Sequence, residues 1–137
     1  MHISKKSEYA LRALLSIARR QGGGPVQITE LSERDRIPVK FLEQILLTLR
    51  KAEILASKRG VGGGYTLNRA PDKISVGEII RLMDGPILPV SEDIDPRGPL
   101  RVYLVRLQSE VAALLDGQSL ADIAALGGED GSLFFEI

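Results

Sequence analysis

At 137 residues and 44% hydrophobic content the chain can bury one core with a helical appendage, but hardly two independent domains. It has no cysteine and a single histidine, His2, which excludes disulfides, zinc fingers and His/Cys metal sites. Its net charge is zero, yet residues 1–74 carry fourteen Lys and Arg against seven Asp and Glu, while residues 75–137 carry four against eleven. Phosphate binding needs a locally basic surface, not a basic protein, so a front of +7 is compatible with nucleic acid and a rear of −7 would be held away from it. The start lacks the charged, apolar, small-residue order of a signal peptide, and no apolar run approaches the ~18 residues of a membrane span. A cytoplasmic protein with no membrane partner is expected.

In chain order, Ser4 can cap a first helix whose Ala10, Leu11, Ala13, Leu14, Leu15, Ile17 and Ala18 recur with helical spacing. Arg19-Arg20 and the glycine run to Pro25 end it. An extended piece, Val26 to Ile28, leads to Thr29 as N-cap of a short second helix over Glu30 to Arg34. Ile37-Pro38 breaks the chain, because the residue before proline is pushed out of the α region. A third helix follows from Val39 to about Ala52, with Phe41, Leu42, Ile45, Leu46 and Leu49 as the buried stripe. Its other face presents Lys40, Glu43, Gln44, Thr48 and Lys51. Two helices across a tight break, the second with a polar face, fit a helix-turn-helix.

Ile54 to Arg59 and Tyr65 to Asn68 read as two strands joined by Gly60-Val61-Gly62-Gly63-Gly64, a β-hairpin wing. Lys58 and Arg59 with Gly60, Gly62, Gly63 and Gly64 make a basic rim on a loop that permits close approach, suited to lying along phosphates or entering a minor groove. A flexible hairpin tip would also explain the glycines. A nucleotide loop would not, since Tyr65 stands where the last glycine of G-x-G-x-x-G is needed and no G-K-[ST] follows. Ser75 to Glu78 is a capping-box pattern opening a helix with Val76, Ile79, Ile80 and Met83 inward. After a proline-rich loop, Leu100, Leu104, Leu107, Val111 and Leu114 recur at steps of four, three, four and three, the seam of a helix packed along another. At roughly sixteen residues such a helix spans ~25 Å and can cross to a partner, or pack part of its stripe on its own domain.

These stretches resemble the Rrf2 family of winged-helix regulators over nearly the whole chain. The resemblance is carried by Ser7 to Leu14, Phe41 to Leu46 with Leu49 to Ala52, Arg59-Gly60 with Gly63-Gly64-Tyr65, Ile74 to Ile80, Asp84-Gly85-Pro86 and Ser119 to Ile123. It implies a homodimer on a roughly palindromic double-stranded DNA operator, with the third helix in a major groove and the wing in the adjacent minor groove. Lys40, Glu43 and Gln44 fall where the family reads bases and Arg59 where the wing enters the minor groove. Chemically, Gln44 can pair with adenine, Glu43 can accept from a cytosine amino group, and Lys40 can reach guanine or phosphate. Lys40 replaces a common small hydroxyl residue and Pro38 a common capping Ser, so a different operator is expected. Lys6, Tyr9 and Arg50 are candidate phosphate contacts. Glu43 could alternatively pair with Lys40 or Lys51, and Tyr9 could belong to the core.

The expected fold is therefore mainly α with a small β-hairpin wing, a winged helix-turn-helix plus a long C-terminal dimerisation helix. Its expected divisions are a DNA-binding domain over 1–84, a loop over 85–99, the dimerisation helix and a short following helix over 100–126, and a tail over 127–137. In the tail, Gly127 to Gly131 reads as a loop and Leu133-Phe134-Phe135 as a segment able to tuck onto the body. Many relatives hold three cysteines for an iron–sulfur cluster in the 85–99 loop. None stands here, so no cluster and no other cofactor is expected. Glu92, Asp93 and Asp95 offer oxygens to a hard cation, but three acids in such a loop are more often simply solvated, and no metal is expected. The loop could instead answer a small effector, bind a partner protein, or only link helices. A regulator, expected to be a repressor, is the leading function, its rival a winged-helix adaptor that no longer binds DNA. An enzyme is excluded by the want of a nucleophile–base pair, metal cluster or paired-carboxylate pocket.

Overall fold

The computed structural model describes residues 2–20 and 23–127. Helix α1 (Lys5–Arg19) starts where the sequence places it: the Ser4 hydroxyl accepts a hydrogen bond from the Ser7 N–H at 3.0 Å. Ala10, Ala13, Leu14 and Ile17 form its buried face. Helix α2 (Ile28–Asp35) begins two residues earlier than expected. Gln27, not Thr29, occupies the N-cap without a side-chain bond, because Val26 is already fixed by a two-way backbone bridge to Tyr65 that sets Ile28 on the helical path. The extended piece shrinks to that single bridge.

Arg36 closes α2 in the left-handed region at φ 55°, and the Ser32 hydroxyl donates to the Ile37 carbonyl at 2.6 Å. Ile37 is buried, so the turn is anchored in the core before Pro38 leads into α3 (Val39–Lys51). Leu42, Ile45, Leu46 and Leu49 of α3 are fully buried. Phe41, expected among them, is instead 36% exposed, lying about a quarter turn off the stripe's centre. Its ring meets the edge of Tyr9 at 5.4 Å between centroids.

Strands β1 (Leu55–Lys58) and β2 (Gly64–Leu67) pair antiparallel, Leu55 opposite Leu67 and Lys58 opposite Gly64. Gly64 therefore belongs to a strand and not to the connecting loop. A short 3-10 turn (Pro71–Lys73) leads to α4 (Val76–Asp84), where the capping box is complete: Ser75 accepts from the Glu78 N–H, and Glu78 accepts from the Ser75 N–H. Val76, Ile79, Ile80 and Met83 are all buried.

Helix α5 (Pro99–Asp116) has no fully buried residue. It touches the body through Val111 and Leu115, which pack against a small cluster of Val76, Ile80 and Ile87. Arg81 of α4 donates to both carboxylate oxygens of Asp116 at 2.6 and 2.9 Å. Helix α6 (Leu120–Gly127) then returns to the winged-helix body, where Leu120 is fully buried and its N–H donates to the Ile74 carbonyl. Of the expected tail, residues 128–137 lie outside the described residues. The mainly α fold with one hairpin wing agrees with the sequence reading.

Candidate nucleic-acid interface

With Leu42, Ile45, Leu46 and Leu49 turned into the core, the helical period forces Lys40, Glu43, Gln44 and Lys51 outward, and all four are exposed. Among the described residues Glu43 makes no ion pair with Lys40 or Lys51, so these polar groups face solvent uncommitted. Thr48 bonds back to the Gln44 carbonyl at 2.9 Å. Arg50 is exposed on the flank of the same helix. Val39 and Leu47 are exposed there too, at 40% and 43%. Neither carries a hydrogen-bonding group by which the sequence would mark it as a contact.

The wing follows β1 directly. Lys58 and Arg59 are exposed at its rim, and the turn closes through the Gly63 N–H donating to the Gly60 carbonyl at 3.0 Å. Gly60 and Gly62 have φ of 93° and 75° with open space beside them. The other two glycines answer a different need. A Cβ on Gly63 would lie 2.2 Å from the Lys58 carbonyl oxygen, and one on Gly64 would lie 2.6 Å from that of Val26. These two shape the hairpin, and the first two shape its tip.

Beside α3 stands the start of α1. Tyr9 is half-buried at the margin of the core, with Phe41 on its ring edge and the cationic groups of Lys5 and Arg12 at 5.8 and 5.4 Å. Glu8 collects both cations. Its hydrogen bond from Lys5 holds the carboxyl below its usual range, the charges of Lys5 and Arg12 adding to this against a desolvation cost. Lys6 lies half-exposed near Asp84. The Asp84 carboxylate accepts from the Ser4 and Ser7 hydroxyls at 2.5 and 2.6 Å. Desolvation alone would raise the Asp84 carboxyl, but those bonds and the Lys6 charge outweigh it and leave it lowered. The end of α4 thus fixes the start of α1.

At the rear, Leu100, Leu107 and Leu114 are exposed, as are Val102, Tyr103 and Val105. Leu104 and Val111 are half-buried, Val111 against its own chain. The five residues share one face of the helix, whose one edge leans on the body while the rest stays open. The 85–98 segment is drawn onto α5 by the Gln108 amide, which donates to the carbonyls of Ile87 and Leu88, and by Arg101, which donates to that of Ser91. A cleft of about 490 Å³ lies between them, lined by Arg81, Gly85, Ile87, Gln108 and Ser109.

The family model for Rrf2, described as iron-dependent transcriptional regulators, matches residues 3–126. The chain belongs to the Rrf2 family. It is 34% identical over 137 residues to the HTH-type transcriptional regulator CymR of Bacillus subtilis, covering 98% of this chain and 99% of that one. The solved structure of B. subtilis CymR, described as the global cysteine regulator, superposes with a TM-score of 0.82 at 35% identity, covering 91% of this chain and 97% of that one. IscR of T. potens superposes with a TM-score of 0.79 at 32% identity, covering 94% and 90%. Like other Rrf2 members, the protein is a DNA-binding transcriptional regulator and not an enzyme.

The iron in that family description finds no donor set here. The sequence holds no thiol and one imidazole, and among the described residues no three His, Cys, Asp or Glu side chains converge. Glu92, Asp93 and Asp95 do not gather around a common point, and Asp95 accepts from the Arg97 N–H instead. No described helix is long and apolar enough to cross a membrane.

Proposed function

We propose that the protein is a cytoplasmic repressor that binds a roughly palindromic operator as a homodimer. The observation that carries this reading is the exposed, unpaired set Lys40, Glu43 and Gln44 on α3, framed by the basic wing on one side and by Tyr9 with its cations on the other. Gln44 reads adenine, Glu43 accepts from a cytosine amino group, and Lys40 addresses guanine or phosphate. Arg59 enters the minor groove, backed by Lys58, by the turn of Gly60, Gly62 and Gly63, and by Gly64 at the start of β2. Lys6, Tyr9 and Arg50 hold phosphates and set the register without reading sequence.

The apolar residues left open on α5, Leu100, Leu107 and Leu114, supply the two-fold contact, with Leu104 and Val111 bridging it to each body. A dimer of this kind spans half-sites about 34 Å apart and represses by occluding the promoter beneath it. Signal input enters at the 85–98 segment and the cleft against α5, from a small molecule or a protein, because a ligand there touches α4 and α5 at once.

The test is mobility-shift binding to DNA selected from genomic fragments. Salt-dependent retardation by wild type is expected, with Arg59→Ala weaker by about tenfold or more and with a shallower salt slope. Binding that is undetectable across the library, or indifferent to salt, would overturn it.

A further inference from the structure

The outward face of α3 carries one residue that polar readout does not use. Leu47 is 43% exposed and stands three residues beyond Gln44, four beyond Glu43 and seven beyond Lys40. Those intervals place all four side chains on one stripe of the helix. The same i, i+3, i+4, i+7 set is what a recognition helix lying along a groove turns toward the base pairs. Lys51 follows in line a turn further on, so Leu47 is an apolar side chain enclosed by polar and charged neighbours, with none of the buried core beneath it. An exposed leucine in the middle of such a stripe gains nothing from water. Its environment becomes favourable only when an apolar group approaches from outside.

The floor of the major groove offers one such group, the 5-methyl of thymine. We propose that Leu47 is a specificity-determining residue that packs against a thymine methyl in each half-site. This rests on the reading of α3 as the major-groove helix. The dimensions agree. Gln44 and Leu47 are about 4.5 Å apart along the helix axis, close to the ~3.4 Å base step, so Leu47 addresses the base pair next to the one read by Gln44. From Lys40 to Leu47 the helix rises about 10.5 Å, the length of three such steps. Four side chains thus cover about four base pairs, with hydrogen bonding from Lys40, Glu43 and Gln44 and methyl contact from Leu47. A cytosine at that position lacks the methyl and presents an amino donor that Leu47 leaves unpaired, so the contact discriminates as well as attracts.

The experiment is a cycle between protein and DNA. Operator duplexes are made with each thymine replaced in turn by deoxyuridine, which removes the methyl and leaves every hydrogen-bonding group in place. Each is titrated with wild type and with Leu47→Ala, which keeps a strong helix former at an exposed site. Circular dichroism checks that the variant's melting is unchanged. One symmetric pair of thymines is expected to lose about fourfold per half-site with wild type, the worth of one buried methyl, and nothing with Leu47→Ala. Leu47→Ser should bind the deoxyuridine and thymine operators alike. Equal wild-type affinity for every deoxyuridine operator would overturn the methyl contact while leaving DNA binding intact. So would a methyl effect that persists in full in Leu47→Ala. Failure of wild type to bind any selected duplex would remove the DNA reading itself, and this inference with it.

Discussion

The front and the rear of the molecule leave their surfaces open in opposite ways. On α3 and the wing, the stripe of Leu42, Ile45, Leu46 and Leu49 is used by the body, and what remains outside is mainly polar and unpaired, with Val39, Phe41, Leu47 and Val61 as the apolar exceptions. On α5, Asp116 pairs with Arg81 of α4 and Gln108 binds two carbonyls, while Leu100, Val102, Tyr103, Val105, Leu107 and Leu114 leave a surface rich in large apolar side chains. A polar surface without partners suits a ligand that is itself charged and wet. An apolar helix face suits another apolar helix face. The contrast supports the proposal of DNA at the front and a second copy at the rear, and each part can be attacked separately.

The largest expected effect comes from the rear. Introducing Leu107→Glu together with Leu114→Glu places two charges on the open face of α5, where neither residue belongs to the chain's own core. The dimer should become a monomer by light scattering, and operator affinity should fall at least about hundredfold because the two half-sites are no longer linked. A folded double variant that stays dimeric would assign the two-fold contact elsewhere.

Next is Gly63→Ala in the wing. The added Cβ would meet two backbone carbonyls, at 2.2 Å for Lys58 and 2.8 Å for Gly60, and backbone cannot swing aside. A cost of about 1–3 kcal/mol from overpacking is expected, with the hairpin tip displaced and the Arg59 contribution lost. Binding to Gly63→Ala should therefore match that of Arg59→Ala, and adding Arg59→Ala to it should change little more.

A smaller effect tests the joint between the two regions. Asp84 accepts from Ser4 and Ser7, and its carboxyl is lowered in the folded state from an ordinary 3.8. A carboxyl whose folded value is depressed adds stability that is fully present above the unfolded value and is lost as pH falls through the folded one. Asp84→Asn should therefore be less stable than wild type by a constant margin down to about pH 5, the gap closing as the wild-type carboxyl takes up its proton. A gap independent of pH in urea melts would mean that the hydroxyl bonds act without the charge.

Much of this contrast was legible in the sequence, and the parts that were not share a cause. The Ser4 cap, the Ser75–Glu78 capping box and the buried faces of α1 and α4 follow from local spacing, which a sequence displays directly. The polar residues of α3 and the wing cations could be named for the same reason. Phe41 departed because hydrophobicity was read as burial, whereas helical phase put its ring beside Tyr9 at the core's margin. Thr29 lost the cap of α2 to Gln27 because Val26 is held by Tyr65, thirty-nine residues away in the chain. Leu47 was invisible for the converse reason, an apolar residue being silent in a search for hydrogen-bonding groups. Periodicity showed the stripe on α5 and left open whether it meets a partner or its own domain; the cluster around Val76, Ile80 and Ile87 takes Val111 to the body and leaves Leu114 open. That outcome depends on contacts with α4 and the 85–98 segment, which periodicity within a helix does not encode.

The smallest effect sets a rear glycine against the front one. A Cβ on Gly77 would come 1.9 Å from Asp116 Oδ1, a closer approach than at Gly63. The distance misleads, since the atom it meets is the end of an exposed side chain and not backbone. Asp116 can rotate away from Arg81, giving up an exposed, solvent-screened ion pair that adds little stability. Alanine within α4 returns up to about 0.5–1 kcal/mol over glycine. The two nearly cancel, so Gly77→Ala should melt within a degree or two of wild type. Its consequence should be in the link between α4 and α5: faster amide exchange near the start of α4, and the same exchange in Asp116→Asn. A large fall in stability would mean that Asp116 is held too firmly to move, and that the α4–α5 joint is as rigid as the wing.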